Sequence, residues 1–154
     1  MKIINKYPPN IDEIDSKFHV RGKDIAYTYG DTVYIPMGGG LPDHVKFHEN
    51  VHIKQQSVMG PEAWWRKYID DSKFRLDQEL QAYQAQYWFL KYGKRYDRNQ
   101  RRAILMAISN DLSGPMYGHL LSPSMARELI QKGGEFLEEQ TTKHYEDMRA
   151  ELKI

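Results

Sequence analysis

The segment His48-Glu49-Asn50-Val51-His52 constrains this chain more than any other, because its spacing brings side chains together only on an α-helix. On a helix, His48 and His52 lie one turn apart on the same face, with Cβ atoms roughly 5–6 Å apart. Two imidazoles so placed can bind one Zn²⁺ at about 2.0–2.1 Å each. Glu49 is rotated by about 100° from His48, so it can reach a water on the metal without being a ligand. The spacing therefore predicts a helical metal site with two histidine ligands and a carboxylate base.

A catalytic zinc ion usually takes three protein ligands and leaves its fourth position to water. The chain has no cysteine, so each ligand must be a histidine or a carboxylate. Glu79 is the strongest candidate, because it lies in the middle of an amphipathic segment and borders its apolar stripe. The other candidates are Glu62, Asp70, Asp71, Asp77, His119 and His144. The alternatives are an exposed Glu79 at the edge of the stripe and a motif helix that simply faces solvent.

Composition and charge exclude several classes of protein. With 22 basic and 21 acidic residues the formal net charge is +1, so no nucleic-acid partner is expected. No apolar run approaches the ~20 residues of a membrane span, and residues 1–10 lack the apolar region of a secretory signal. A length of 154 residues suits one domain over residues 1–154. We expect a soluble cytoplasmic protein.

The hydrophobic pattern predicts an α+β fold that is mostly helical. Residues 1–17 are expected to be an irregular lead-in, because the prolines that follow Tyr7 favour extended or turn structure. Residues 18–36 are rich in β-branched and aromatic residues on both sides of Gly30-Asp31. This pattern predicts a β-hairpin with a two-residue turn.

The remainder of the chain has the periodicity and the capping residues of helices. The motif helix is predicted at 43–59, and a helix that carries the third ligand is predicted at 73–92. Residues 97–154 are predicted to form a helical C-terminal part. Within it, residues 132–134 include two adjacent glycines and are expected to end a helix.

Three segments of the chain carry a resemblance to a known family. They are His48-Glu49-Asn50-Val51-His52, Gln55-Gln56 and Glu79-Leu80-Gln81-Ala82-Tyr83. The pattern resembles small gluzincin-type zinc metallopeptidases (HExxH…E), and the Tyr-rich strand before a Gly-rich loop is similar to minimal zincin-like proteins encoded by bacteriophages. The resemblance covers about residues 18–90 and implies a minimal zincin-like domain whose hairpin packs on the motif helix. It implies zinc ligands His48, His52 and Glu79, with Glu49 as the general base.

The resemblance further implies that the strand at 32–35 borders the cleft and could pair with an extended peptide. A donor to the developing oxyanion is also expected. Tyr117 is a candidate because it lies in a Gly-Pro-x-Tyr-Gly loop, which can aim a side chain into a cleft. Tyr83 and His119 compete with it, and a packed loop tyrosine is the alternative. His44, one turn before the motif, lies either beside the ligands or at the surface.

Three functions are compatible with these patterns. The first is a zinc metallopeptidase that acts on a protein or peptide substrate. The second is a catalytically silent zincin-fold binding protein, such as a phage accessory factor that acts on a host protein. The third is a plain helical interaction module without a metal, which the charged C-terminal segment suggests. A phage-encoded protein would act in the host cytoplasm, and no sequence feature determines the oligomeric state.

Overall fold

A computed structural model describes residues 1–93, 95–135 and 139–154 of the chain. It is mostly helical with a small three-stranded sheet, which confirms the predicted α+β class at this level. The elements are β1 Lys2–Ile4, α1 Ile11–Phe18, β2 Tyr27–Tyr29, β3 Thr32–Tyr34, α2 Asp43–Met59, α3 Pro61–Asp70, α4 Ser72–Tyr92, α5 Arg98–Leu112, a 3₁₀ turn Pro115–Tyr117, α6 Pro123–Glu135 and α7 Glu139–Leu152. None of the described helices has the length and apolarity to cross a membrane.

The prediction of an irregular lead-in over residues 1–17 is wrong. Residues of β1 pair in parallel with β3, and α1 forms directly after the prolines. The helix forms because Ile11 and Ile14, three positions apart, share one face. Both are buried in a cluster that includes Trp64 and Trp65 of α3. Burial of this face against a distant segment stabilises a helix that is too short to be stable alone.

The sheet has the strand order β1-β3-β2. The predicted hairpin is present, because Tyr29 pairs with Thr32 around a turn in which Gly30 has φ of +63°. The expectation that the strand at 32–35 could pair with a peptide is wrong for this strand. Residues Thr32–Tyr34 are central in the sheet, with β1 on one side and β2 on the other, so both edges are used. The strand next to the motif helix is β2, through Thr28.

The motif helix α2 packs along α4, and local signals set the ends of both helices. The motif helix ends at Met59, where Gly60 has φ of +84° and a proline begins α3. The side chain of Asp71 caps α4 by accepting hydrogen bonds from the backbone of Lys73 and Phe74. The predicted bounds of these two helices are therefore correct to within a residue.

The C-terminal part is helical as predicted, but the expected interruption at residues 132–134 is wrong, because α6 continues to Glu135. A Cβ atom on Gly133 would lie 2.1 Å from the side chain of Gln84 in α4. Glycine at this position therefore allows α6 to approach α4 closely instead of ending the helix. The last helix, α7, buries Met148 beside Phe47 of α2. Residues 136–138 of the predicted helical part lie outside the described residues.

Candidate metal centre

The predicted ligands His48, His52 and Glu79 come together where α2 faces α4. They retain only 7%, 5% and 6% of their surface exposure, respectively. The two histidines share one face of α2 because they are four residues apart, and Glu79 reaches them from the facing helix. We call these three residues the metal centre, since together they could hold a metal ion.

The two imidazoles and the carboxylate of the metal centre lie close to one another. Nε2 of His48 lies 3.0 Å from Nε2 of His52 and 3.3 Å from Oε2 of Glu79. Nε2 of His52 lies 3.6 Å from Oε1 of Glu79. Two ligands at about 2.05 Å from a tetrahedral metal are about 3.3 Å apart. The observed separations of 3.0–3.6 Å are therefore close to those between ligands at neighbouring corners of a tetrahedral site.

A buried glutamine sets the tautomer of His48. Oε1 of Gln86 lies 3.0 Å from Nδ1 of His48, and because an amide oxygen only accepts, Nδ1 carries the proton. Nε2 is therefore left with a lone pair that can bind a metal. Nε2 of Gln86 donates in turn to Nδ1 of His44 at 2.7 Å. Burial, and then the neighbouring His48, lower the pKa of His44 to about 4, so His44 is neutral and can accept this bond.

A second glutamine, Gln55, sets the tautomer of His52. Oε1 of Gln55 lies 2.8 Å from Nδ1 of His52. The amide nitrogen of Gln55 donates to the backbone carbonyl of Gln78 at 3.1 Å, which fixes the orientation of the amide group. Nδ1 of His52 is therefore the protonated nitrogen, and its Nε2 also presents a lone pair to the centre.

The third ligand is held by a tyrosine. The hydroxyl of Tyr68 donates to Oε1 of Glu79 at 2.6 Å. Burial acts to raise the pKa of Glu79, but His52 and His48 outweigh it and hold the pKa well below its usual range. Burial acts to lower the pKa of His52, but the Glu79 carboxylate outweighs it and raises the pKa to about 9. The centre therefore attracts positive charge, as a cation site must.

The predicted base, Glu49, is buried beside the sheet, with 6% of its surface exposed. The hydroxyl of Thr28 in β2 donates to Oε2 of Glu49 at 2.7 Å. The strand is itself tied to the helices, because the carbonyl of Thr28 accepts from Gln56 at 2.8 Å and from Trp65 at 2.9 Å. Thr28 thus orients one oxygen of Glu49 and leaves the other for a proton.

The predicted donor Tyr117 is buried in the 3₁₀ turn, with 6% of its surface exposed. Tyr117 lines the same cavity as Tyr68, Tyr83 and Glu79, and burial raises the pKa of all three tyrosines. The ring of Tyr83 lies 4.6 Å from the ring of His48. Tyr68, Tyr83 and Tyr117, which we call the tyrosine cluster, therefore surround Glu79.

The other histidine candidates lie elsewhere. Nδ1 of His119 is 3.1 Å from the backbone carbonyl of Ser113, and His119 does not line the cavity at the metal centre. His144 is exposed on α7 beside Tyr145. Of the histidines that the sequence left open, only His44 adjoins the centre, through Gln86.

Several contacts around the metal centre were not predicted from the sequence, and those of Arg75 are the clearest case. It is 4% exposed and donates to the carbonyls of Tyr68 and Ile69 at the end of α3. It also donates to the carbonyl of Met116 at 2.7 Å, in the turn that carries Tyr117. One buried guanidinium thus joins the two segments that supply tyrosines around Glu79. A single arginine within a helical pattern carries no signal for such a role.

Comparisons with protein-family models, with curated proteins and with solved structures gave no match to this chain. The interpretation of the site therefore rests on its own geometry. That geometry is a buried group of two histidines and one carboxylate that could hold a metal ion, with a further carboxylate beside it.

Proposed function

We propose that this protein is a zinc-dependent metallopeptidase with a minimal zincin-like, gluzincin-type arrangement. One observation carries the proposal. Nε2 of His48, Nε2 of His52 and the carboxylate of Glu79 converge within 3.0–3.6 Å, and each is an electron-pair donor. These atoms repel one another unless a cation lies between them, either a proton on His52, whose pKa is raised to about 9, or a metal ion. A metal ion is the cation that this arrangement fits best.

The ligand set favours zinc among the common metals. Two imidazole nitrogens and one carboxylate form a ligand set that is found in catalytic zinc sites, which leave a fourth position open. A cavity of about 740 Å³ reaches all three ligands and Glu49, so a substrate can approach the open position. The hydrogen bonds from Gln86, Gln55 and Tyr68 orient the ligands as the outer contacts of a zinc site do.

In this proposal the protein's own groups divide the work of hydrolysis. Zinc, when bound, polarises the scissile carbonyl and makes water a better nucleophile near neutral pH. Glu49 accepts the proton of the attacking water and returns it to the leaving amine. Thr28 keeps Glu49 in position for both transfers. Tyr117 or Tyr83 donates a hydrogen bond to the developing oxyanion, since both hydroxyls lie in the tyrosine cluster around Glu79.

The test combines metal content with hydrolysis. Purified wild type should contain one zinc per chain by elemental analysis, whereas His48→Ala and Glu79→Ala should contain much less. Glu49→Gln should keep its zinc and lose cleavage of an unstructured protein such as casein, by a factor of about 10² or more. Cleavage by Glu49→Gln at the wild-type rate would show that the assigned base is wrong.

The same measurements on wild type separate the peptidase from a catalytically silent zincin-fold binding protein. A silent protein would bind zinc through the same three ligands but would not need a proton acceptor at Glu49. Wild type that holds zinc and cleaves no peptide would therefore support the binding function and contradict the peptidase. Wild type without zinc, together with unchanged stability of His48→Ala, would contradict both.

A further inference from the structure

The side chains that line the cavity at the metal centre give it a negative charge. Among the described residues that line it are four carboxylates and no lysine or arginine. The four are Asp24, Glu49, Glu79 and Asp111. Even with a dication at the metal centre, the wall keeps a negative charge. A positively charged ligand is therefore attracted to this cavity, and a negatively charged one is repelled.

Two of these carboxylates already have roles, whereas Asp24 and Asp111 do not, and of these two only Asp111 lies on α5. Glu79 belongs to the metal centre, and Glu49 accepts from Thr28. The side chain of Asp111 has no ion pair or hydrogen-bond partner within the described part of the chain. It lines the same cavity as Glu79 and Tyr83. Asp111 is therefore a free acceptor close to the site of the proposed reaction.

The wall that leads to Asp111 is apolar. Ile104, Ala107 and Ile108 of α5 line the same cavity. They precede Asp111 by seven, four and three residues, a spacing that places all four on one face of the helix. Asp111 is also in the last turn of α5, where the negative end of the helix dipole adds to its attraction for a cation. An apolar stripe that ends in a carboxylate matches a side chain with an aliphatic stem and a cationic head.

We propose that this stripe is a specificity subsite for a basic side chain of the substrate, with Asp111 as the specificity-determining residue. The inference rests on the proposed peptidase function and names its substrate class: peptides with lysine or arginine near the scissile bond. The aliphatic stem packs on the apolar residues of α5, and the ammonium or guanidinium group pairs with Asp111. A free α-amino group has the same charge but lacks the aliphatic stem. It can therefore pair with Asp111 without contacting the apolar residues of α5.

The test uses the zinc-loaded full chain and a series of fluorescence-quenched peptides. The peptides are acetylated and differ only in lysine, norleucine or glutamate, placed at each position in turn. A further peptide has norleucine and a free α-amine. At the preferred position, kcat/KM for lysine should exceed that for norleucine by about fivefold, the upper range for a partly exposed ion pair. In Asp111→Asn the ratio should fall to about one, and Asp111→Lys should favour glutamate.

Asp77→Asn is the matched control, because Asp77 is exposed on α4 and does not line the cavity. It should keep the wild-type preference for lysine. Equal rates for lysine and norleucine, or a preference that survives in Asp111→Asn, would overturn the assignment. A preference only for the free α-amine would overturn the side-chain subsite.

The proposed peptide hydrolysis and the proposed recognition of a basic side chain can be tested separately. If wild type cleaves none of the peptides, fluorescence anisotropy with zinc-loaded Glu49→Gln measures whether the lysine peptides bind more tightly than the norleucine peptides. Tighter binding that is lost when Asp111→Asn is added supports the subsite and contradicts only the peptidase. Equal binding contradicts the subsite.

Discussion

The hydroxyl of Tyr68 donates a 2.6 Å hydrogen bond to Oε1 of Glu79. Tyr68 is in α3 and Glu79 is in α4, so the bond joins two helices at the metal centre. It restricts the carboxylate to one orientation and directs its other oxygen, Oε2, toward Nε2 of His48, 3.3 Å away. The position of the third ligand thus depends on a residue outside the metal-binding motif.

Tyr68→Phe should weaken zinc binding by about tenfold or more, because loss of an outer hydrogen bond to a ligand typically costs 10–100-fold. The substitution keeps the ring and its packing on Trp64. Competition with a fluorescent zinc chelator would measure the affinity. Tyr92→Phe, at a tyrosine that is 42% exposed, is the matched control and should bind zinc like wild type. Unchanged affinity in Tyr68→Phe would mean that the bond does not orient Glu79.

Gln86→Leu should also weaken zinc binding by about tenfold or more, because it removes the acceptor that holds the proton on Nδ1 of His48. His48 would then be free to rotate and to exchange tautomers. The matched control is Gln84→Leu on the same helix, which loses a hydrogen bond to the carbonyl of Leu129 and changes the packing on Gly133, but does not line the cavity at the metal centre. Equal affinities of the two variants in the chelator assay would contradict the proposed role of Gln86.

Zinc should stabilise the folded protein, since the metal centre assembles from two helices that converge only after folding. At a free zinc concentration 100 times the dissociation constant, the gain is about 2.7 kcal/mol. Differential scanning calorimetry with and without a chelator would show it as a higher Tm in zinc. His48→Ala should lose this difference, and a wild-type Tm that is insensitive to chelator would argue against a bound metal.

His44 should make the free energy of unfolding depend on pH in mildly acidic solution. Its pKa is lowered in the fold from 6.5 to about 4, first by burial and then by His48. Between these values the unfolded chain binds a proton that the folded chain does not, so stability falls as the pH falls from about 6.5 to 4. Above pH 6.5 both states are neutral, and this contribution is constant.

Urea unfolding at several pH values would measure this dependence. His44→Gln should show a smaller loss of stability than wild type between pH 6.5 and 4, whereas His144→Gln, at an exposed position, should follow wild type. If His44→Gln and wild type lose stability in parallel, His44 is not the group responsible.

Arg75→Met should destabilise the protein by about 3 kcal/mol, because it removes the donor to the buried carbonyl of Tyr68 and to the partly buried carbonyls of Ile69 and Met116. Arg75→Lys should recover only part of this, since an ammonium group lacks the planar set of donors. Arg66→Met, at an exposed position of α3, is the control and should change stability little. If Arg75→Met leaves the free energy of unfolding in urea nearly unchanged, the hydrogen bonds of Arg75 contribute little to stability.

Much of the helical architecture could be predicted from local sequence. The observed bounds Asp43–Met59 and Ser72–Tyr92 agree with the predictions of 43–59 and 73–92 to within a residue, because caps and a Gly-Pro step act within one turn. The prediction of an irregular lead-in failed because contacts with distant residues decide the structure of that segment. Residues Lys2–Ile4 form a strand only because β3 is available about thirty positions later. The prediction of a helix end at residues 132–134 failed similarly, since Gly133 packs closely on α4 within a helix that continues to Glu135.

The sequence by itself determined that His48 and His52 share a helix face and singled out Glu79, because a helix repeats its geometry through hydrogen bonds between near neighbours. Only the tertiary structure decided which side chains orient these ligands: Gln86 and Tyr68 reach them because α2, α3 and α4 pack together. It also decided that β2, rather than β3, adjoins the base. Such contacts join residues far apart in the chain, and no local rule for spacing specifies them.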